Sequence, residues 1–149
     1  MSGAVSGVGV LGVGLDVVDV AAFTDQLGDA ASGFVAGTFT PAEQAGAPAE
    51  PARRAWHLAG RFAAKEAFVK AWSGARRGQH PELAAVDLRE VEVVADRHGR
   101  PGLVLHGAVR AGVARLCPGG QVRAHVSLSH DGPVAAAVVV LDAVAGGER

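Results

Sequence analysis

Two carboxylates in distant parts of the chain could together hold a divalent cation. Asp16 follows an apolar, glycine-rich stretch, and Glu66 comes much later, within a long helical pattern. Carboxylate oxygens suit Mg²⁺, an ion that keeps several waters and is usually completed by substrate phosphates. Lys65 would then meet those phosphates or the leaving group. The alternative from the residues alone is a buried ion pair without a catalytic role.

Three other patterns fit functional motifs less well. Residues 7–12 match the dinucleotide fingerprint G-x-G-x-x-G, but that motif should follow a strand, and here it lies within one. Residues 127–131 contain Ser, His and Asp, yet neighbouring residues of a strand point to opposite faces and make a poor local triad. Four further histidines show no zinc-ligand spacing: His57, His80, His98 and His106. We therefore expect neither a nicotinamide oxidoreductase nor a zinc site.

Composition excludes several classes of protein. The 149 residues carry a formal net charge of −1, which argues against a nucleic-acid-binding protein but allows a local basic site for an anionic ligand. The single cysteine, Cys117, excludes an intrachain disulfide framework. Neither a signal-peptide pattern nor an apolar run of about 18 residues is present, so we expect a cytoplasmic protein with no membrane partner. The length favours one domain over residues 1–149, with flexible ends at 1–7 and 143–149.

Residues 53–72 predict a long central helix, because they include no proline and only one β-branched residue. At about 100° per residue, one face carries large apolar side chains and the other carries small ones, which indicates burial on both sides. The large residues are Leu58, Phe62, Phe68, Val69 and Trp72. Arg61, Lys65 and Glu66 fall on or beside that large face, and buried charges need an opposite charge, a metal or a ligand.

Shorter elements are expected before this helix. The pattern predicts a strand over residues 8–15 and then a helix that begins at Asp16. Within that helix the residues expected to face the core are Val17, Val20, Phe23 and Leu27. Residues 40–43 have the form of a capping box, with Pro41 at the first helical position of a short helix.

Strands dominate the part of the chain after the long helix. A hairpin is expected from residues 91–95 and 103–106, joined by turn residues, and a short helix over 108–116 follows. Two more strands then meet at a sharp corner. The second of them, residues 134–141, is almost wholly apolar and should be central in its sheet. This order of elements predicts an α+β fold with a mostly antiparallel sheet packed on the long helix.

Four segments of the chain occur in an order typical of one enzyme family. They are VGLDVV at 13–18, GRFAAKEA at 60–67, GRP at 99–101 and VSLSHD at 126–131. Together they resemble the bacterial holo-[acyl-carrier-protein] synthases, the short type of 4′-phosphopantetheinyl transferase. The resemblance extends over most of residues 8–141 and implies the fold of that family.

The resemblance implies a reaction and a set of site residues. The reaction is transfer of 4′-phosphopantetheine from coenzyme A to a serine of an apo acyl carrier protein, with release of adenosine 3′,5′-bisphosphate, in fatty-acid or polyketide biosynthesis. By this resemblance, Asp16 and Glu66 hold Mg²⁺ and Lys65 stabilises or protonates the leaving phosphate. Either Glu66 or a metal-bound water accepts the serine proton. The residues implied to bind coenzyme A are Arg61, Arg100, Pro101, Ser129 and His130.

The family resemblance also implies a homotrimer with active sites between subunits. A non-catalytic module that binds coenzyme A or a carrier protein is the alternative, and retention of Asp16, Lys65 and Glu66 argues against it. One departure concerns the carrier protein. Residues 17–37 contain no Lys or Arg, whereas the family usually docks an acidic carrier with cations there. Our hypothesis is therefore a less acidic carrier, of polyketide type, unless the later arginines Arg53, Arg54, Arg76 and Arg77 replace those cations.

Overall fold

A long helix and a three-stranded antiparallel sheet form the centre of the structure, a computed structural model that describes residues 9–146. The strands are β1 (Gly9–Asp19), β2 (Val91–Ala95), β3 (Pro101–Leu105), β4 (Gln121–Asp131) and β5 (Val134–Val144). The helices are α1 (Val20–Gly28), α2 (Phe34–Thr38), α3 (Pro41–Gly46), α4 (Pro51–Ala75) and α5 (Gly107–Ala114). Within the described residues, no helix is both long and apolar enough to cross a bilayer.

The main sheet has the strand order β1-β5-β4, and β2 and β3 form a separate antiparallel hairpin. The predicted central position of β5 is confirmed, since it pairs with β1 on one side and with β4 on the other. Alternate residues of β5 are buried against α4: Ala135, Ala137, Val139, Leu141 and Ala143. The predicted α+β fold with a mostly antiparallel sheet on a long helix is therefore confirmed.

The long helix α4 is buried on two sides, as its sequence pattern predicts. Large residues such as Phe68 and small ones such as Ala63 are both fully buried. The helix begins earlier than expected because Glu50 caps it, accepting hydrogen bonds from the backbone N–H groups of Ala52 and Arg53 at 3.0 and 2.8 Å. Pro51 at the first helical position completes this start signal.

Strand β1 continues further than its sequence suggests. Residues 16–19, predicted to open a helix, extend the strand because Val17 and Val18 pair with Ala136 and Ala135 of β5. The helix starts only at Val20, where the Asp19 carboxylate accepts a hydrogen bond from Ala22 N at 2.9 Å. Val17 is consequently 59% exposed instead of facing the core.

The shorter elements follow their predicted patterns closely. Val20 and Phe23 are buried as predicted, and Leu27 packs against the core while partly exposed. The capping box of α3 is confirmed, with Thr40 and Glu43 exchanging hydrogen bonds through their side chains. At the carboxyl end, β5 extends to Val144, into a segment that the sequence predicts to be flexible. The rest of the predicted flexible ends, apart from residues 145 and 146, lies outside the described residues.

Two glycines of β1 allow the strand backbone to lie directly against α4. A Cβ at Gly14 would overlap the carbonyl oxygen of Ala67, and one at Gly12 would overlap that of Ala71. These obstacles are helix backbone atoms, which cannot move aside as the end of a flexible side chain could. The alanines of α4 and the glycines of β1 therefore set the separation between helix and strand.

We expect Gly14→Ala to destabilise the protein by roughly 3 kcal/mol, because the added methyl group forces β1 away from α4. The matched control is Gly37→Ala in α2, where a Cβ meets no atom within 4 Å. That control should leave stability unchanged or raise it by less than about 1 kcal/mol. Urea unfolding followed by circular dichroism measures both variants, and equal stabilities would contradict the close-approach argument.

Candidate active site

The inward face of β1 directs Asp16 toward α4. Side chains alternate along a strand, and Asp16 shares the face of the buried residues Gly14 and Val18. Its neighbours Leu15 and Val17 are about 60% exposed on the opposite face. The Asp16 side chain is only 16% exposed. The extension of β1 thus places this carboxylate within the strand, beside the helix, instead of at the strand end that its sequence suggests.

Glu66 lies with Asp16 in one open depression between β1, α1 and α4. The depression has a volume of about 470 Å³. Phe23 and Phe62 form an apolar wall, with their rings stacked and the centroids 5.5 Å apart. Asp19 belongs to the exposed rim. The predicted pair of carboxylates is therefore brought together from segments far apart in sequence.

Glu66 is a half-buried carboxylate suited to binding a cation. Its side chain makes no hydrogen bond or ion pair with any residue in the range 9–146. Burial raises the pKa of Glu66, and the negative charge of Asp16 raises it further, while Lys70 opposes the shift. Two carboxylates held close together in this way repel each other unless a positive ion lies between them.

The donor set fits Mg²⁺ better than a metal held wholly by protein. Among residues 9–146, no three Asp, Glu, His or Cys side chains form a cluster that could hold a metal ion. Two carboxylates in an open depression leave several coordination positions for water and substrate oxygens. Mg²⁺ is commonly bound in this way, through one or two carboxylates and the phosphates of its substrate.

Lys70 is the candidate residue that our sequence analysis missed. Its Nζ donates hydrogen bonds to Asp16 Oδ1 at 3.0 Å and to the carbonyl oxygen of Leu15 at 2.9 Å. An ammonium group has three donors, and no third acceptor within residues 9–146 contacts it. Because its side chain is 55% exposed, Lys70 can turn this third donor toward a phosphate. The signal in the sequence was its position one helical turn after Glu66.

Lys65, predicted to meet the substrate phosphates, lies instead in the protein interior. It is 0% exposed, and its Nζ donates at 2.8 Å to each of three acceptors: Glu43 Oε1, Leu88 O and Val91 O. Burial lowers the pKa of Lys65, and the hydrogen bond to Glu43 opposes that shift. All three N–H donors of Lys65 are used within the protein. The predicted contact between Lys65 and a leaving phosphate is therefore wrong for this structure. The buried ion pair that was the alternative is what the structure contains.

A second, larger groove lies beside the amino-terminal half of α4. It has a volume of about 580 Å³ and is lined by Pro48, Arg53, Trp56, His57, His130, Asp131 and Gly132. The rings of Trp56 and His130 meet edge to face, with centroids 5.5 Å apart. His130 Nε2 lies over Gly60, where a Cβ would come within 3.3 Å. The glycine of the GRFAAKEA segment thus leaves room for this histidine.

The remaining predicted coenzyme A residues are dispersed in the single chain. Arg61 lies one turn after His57, and both line a smaller depression next to the groove. Arg100 lies at the tip of the β2–β3 hairpin, where its Nε pairs with Asp96 at 2.6 Å. Pro101 is the first residue of β3. Ser129 is exposed on the outer face of β4. None of these four residues lines the depression of Asp16 and Glu66.

Comparison with known proteins decides the family. The sequence model of the 4′-phosphopantetheinyl transferase superfamily matches residues 12–138, which is most of the chain. The chain belongs to this superfamily. The resemblance carried by the four sequence segments is thereby confirmed.

Relatives in this superfamily are similar over nearly their whole length. The holo-[acyl-carrier-protein] synthase of Mycobacterium tuberculosis is 44% identical over 135 residues, which cover 91% of this chain and 98% of that protein. The structure described as the Chronobacterium ammoniagenes ACPS–CoA complex has a TM-score of 0.78 and 41% identity, covering 88% of this chain and 96% of that one. The Mycobacterium tuberculosis acyl carrier protein synthase has a TM-score of 0.72 and 42% identity, covering 91% and 100%. By family and similarity, this phosphopantetheinyl transferase homologue is an enzyme of the holo-[acyl-carrier-protein] synthase type.

The two lysines of α4 should respond differently to replacement. Lys65→Ala leaves the Glu43 carboxylate buried without its partner, so we expect a loss of about 3–5 kcal/mol in the free energy of unfolding. Lys70→Ala removes an exposed ion pair and should cost less than about 1 kcal/mol. Thermal and urea unfolding of both variants measure the difference. Similar small losses in the two variants would contradict a structural role for Lys65.

Proposed function

We propose that the chain transfers 4′-phosphopantetheine from coenzyme A to a serine hydroxyl of an apo acyl carrier protein, with Mg²⁺, and releases adenosine 3′,5′-bisphosphate. The observation that carries this proposal is the convergence of Asp16 and Glu66, one of them unpaired, in an open depression beside Lys70. Coenzyme A in the complex with the similar Chronobacterium protein supports the choice of donor substrate.

The reaction forms a bond between the serine oxygen and the phosphorus that bears pantetheine, and it breaks that phosphorus's bond to the bridging oxygen. Asp16 and Glu66 would hold Mg²⁺, which when bound neutralises charge on the pyrophosphate. The exposed ammonium of Lys70 would donate a hydrogen bond to the phosphate that leaves with adenosine. The serine proton passes to Glu66 or to a water.

Removal of either carboxylate should abolish most of the turnover. We expect Asp16→Ala and Glu66→Ala each to lower kcat at least about 100-fold, because each removes half of the protein ligands to the cation. Intact-protein mass spectrometry of an apo carrier incubated with coenzyme A and Mg²⁺ measures the transfer. The matched control is Asp87→Ala, an acidic residue with a side chain 38% exposed that lies outside both the depression and residues 17–37.

Three outcomes of this assay distinguish the possibilities. Transfer that stops with EDTA and returns with excess Mg²⁺ supports the metal-dependent reaction. Coenzyme A binding without transfer to any carrier supports the non-catalytic module instead. An acidic fatty-acid carrier and a polyketide-type carrier should be run side by side, since residues 17–37 offer no cation to an acidic partner. Equal transfer to both, with the same salt dependence, would contradict the preference for a less acidic carrier.

A homotrimer with shared sites is the second part of the proposal, and the geometry of α4 supports it. Glu66 and His57 are nine residues apart, which at about 100° per residue is half a turn around the helix axis. The depression of Asp16 and the groove of His130 share no lining residue. A single chain therefore presents the carboxylates and the candidate nucleotide groove on opposite sides of one helix. Two copies could bring the two halves together.

The outer face of the main sheet supplies a surface for such an assembly. Val13, Leu15 and Val17 on β1 are 58%, 60% and 59% exposed. In the register of the sheet they lie beside Val140, Val138 and Ala136 of β5. A contiguous apolar face of this kind is typical of a protein–protein contact. We assign it to other copies of the same chain, as the family resemblance implies.

Charges introduced on this face should separate the subunits. We expect the double variant Val13→Glu/Leu15→Glu to be monomeric by light scattering, with turnover lost because neither half of the site is completed. Val104→Glu is the matched control and should keep both assembly and turnover, since Val104 is 40% exposed on β3, in the other sheet. A wild-type chain that is monomeric and fully active would overturn the shared-site proposal.

A further inference from the structure

His57 is a histidine of the large groove to which the family resemblance assigns no role. It lies half-buried on α4, on the wall between the groove and the smaller depression that contains Arg61. Its backbone carbonyl accepts a long hydrogen bond of 3.5 Å from Arg61. Neither ring nitrogen makes a hydrogen bond to any residue within 9–146. The imidazole therefore has unused hydrogen-bonding capacity toward the groove.

The charges around His57 favour an anionic ligand. Burial lowers the pKa of His57 to about 4, and the positive charges of Arg61, Arg54 and His130 contribute to the shift. Arg53 also lines the groove. The ring is thus neutral near pH 7, with arginines of its own helix around it. The negative charge of a phosphate in the groove would favour the protonated ring, and it would oppose both the effect of burial and the repulsion from the cations.

The acidic groups near His57 do not form an ion pair with its ring in place of an anionic ligand. Glu43 and Glu92 line the smaller depression, and Asp131 lines the groove. Glu43 is engaged by Lys65, and Glu92 accepts a hydrogen bond from Thr40 Oγ1 at 2.8 Å. No carboxylate among residues 9–146 forms an ion pair with the His57 ring. Arg53 and the His57 ring therefore remain available to a ligand, and Asp131 is the acidic side chain among the lining residues of the groove.

The ligand chemistry follows from the proposed function, on which this inference rests. Coenzyme A carries a pyrophosphate and a separate 3′-phosphate monoester. The pyrophosphate belongs at Asp16 and Glu66, where the transferred phosphorus must lie. The monoester, with a second pKa of about 6, is close to a dianion at neutral pH and is the stronger partner for a protonated imidazole.

We propose that His57 binds the 3′-phosphate of coenzyme A and takes up a proton as that phosphate enters the groove. The free ring is neutral and the bound ring is charged, so binding is coupled to proton uptake. Affinity for coenzyme A then rises as pH falls, in the window between the low pKa of the free ring and the higher pKa of the bound ring. The residue makes the enzyme select the 3′-phosphorylated nucleotide.

Calorimetric titration in two buffers of different ionisation enthalpy measures the protons taken up at pH 7. We expect wild-type protein to take up more protons with coenzyme A than His57→Gln does, and to bind it roughly tenfold more tightly. With 3′-dephospho-coenzyme A the two proteins should behave alike. His80→Gln, an exposed histidine in the loop after α4, is the matched control and should match wild type. The affinity difference should shrink from about pH 6.5 to about pH 8.

Two results would overturn the assignment. Equal proton uptake by wild type and His57→Gln would remove His57 from the phosphate site, whatever the carrier assay shows. Proton uptake by wild type that is the same for coenzyme A and its 3′-dephospho form would do so without relying on any variant. If the carrier assay shows Mg²⁺-dependent transfer while either result is obtained, only the His57 assignment fails. Absence of coenzyme A binding by the wild type would contradict both proposals.

Discussion

The direct contact between the backbone of β1 and that of α4 determines most of the architecture. Gly12 and Gly14 face helix carbonyl groups with no side chain between them. The strand and the helix therefore lie closer together than they could with a side chain between them. Asp16, two residues after Gly14, is held against the helix face that carries Glu66 and Lys70. Gly12, the last glycine of the match to the dinucleotide fingerprint, therefore serves packing. Its chemical consequence is a fixed distance between two metal-binding candidates.

The opposite side of α4 is fixed by charge. Lys65 reaches through the core to the Glu43 carboxylate and to carbonyl groups next to β2, while the other oxygen of Glu43 accepts a hydrogen bond from Val93 N at 3.1 Å. One ion pair thus ties α3, α4 and the β2–β3 hairpin together. A buried pair of this kind is a weak source of net stability, yet the loss of one partner is costly. Of two adjacent residues in one motif, Lys65 consequently serves packing, whereas Glu66 faces the depression of the proposed metal site.

Local patterns were sufficient to predict most helices and the central position of β5. The pairing of Asp16 with Glu66 was one of two open alternatives from the residues alone, and the family resemblance favoured it. They failed where tertiary pairing decides the outcome. Val17 and Val18 continue a strand only because β5 is available beside them, a partner from the far end of the chain. Helical geometry alone points to Lys70 and not Lys65 as the lysine beside Glu66, since residues four apart share a face of a helix and adjacent residues do not. The turn pattern predicted the hairpin that carries Arg100, but no local pattern specifies where that hairpin lies against the rest of the chain.

The arrangement of charge around α4 links assembly to catalysis. One side of the helix adjoins a carboxylate-rich depression whose rim on α1 has no cation, and the other adjoins a groove with Arg53, His57 and His130. In the proposed function coenzyme A uses both, its pyrophosphate beside a metal held by the carboxylates and its 3′-phosphate beside the cations of the groove. The two sites lie on opposite faces of α4, and no change within one helix brings its opposite faces together. In the proposed assembly, therefore, the contact between copies is what creates a binding site for the whole nucleotide, and an isolated chain holds only half of it.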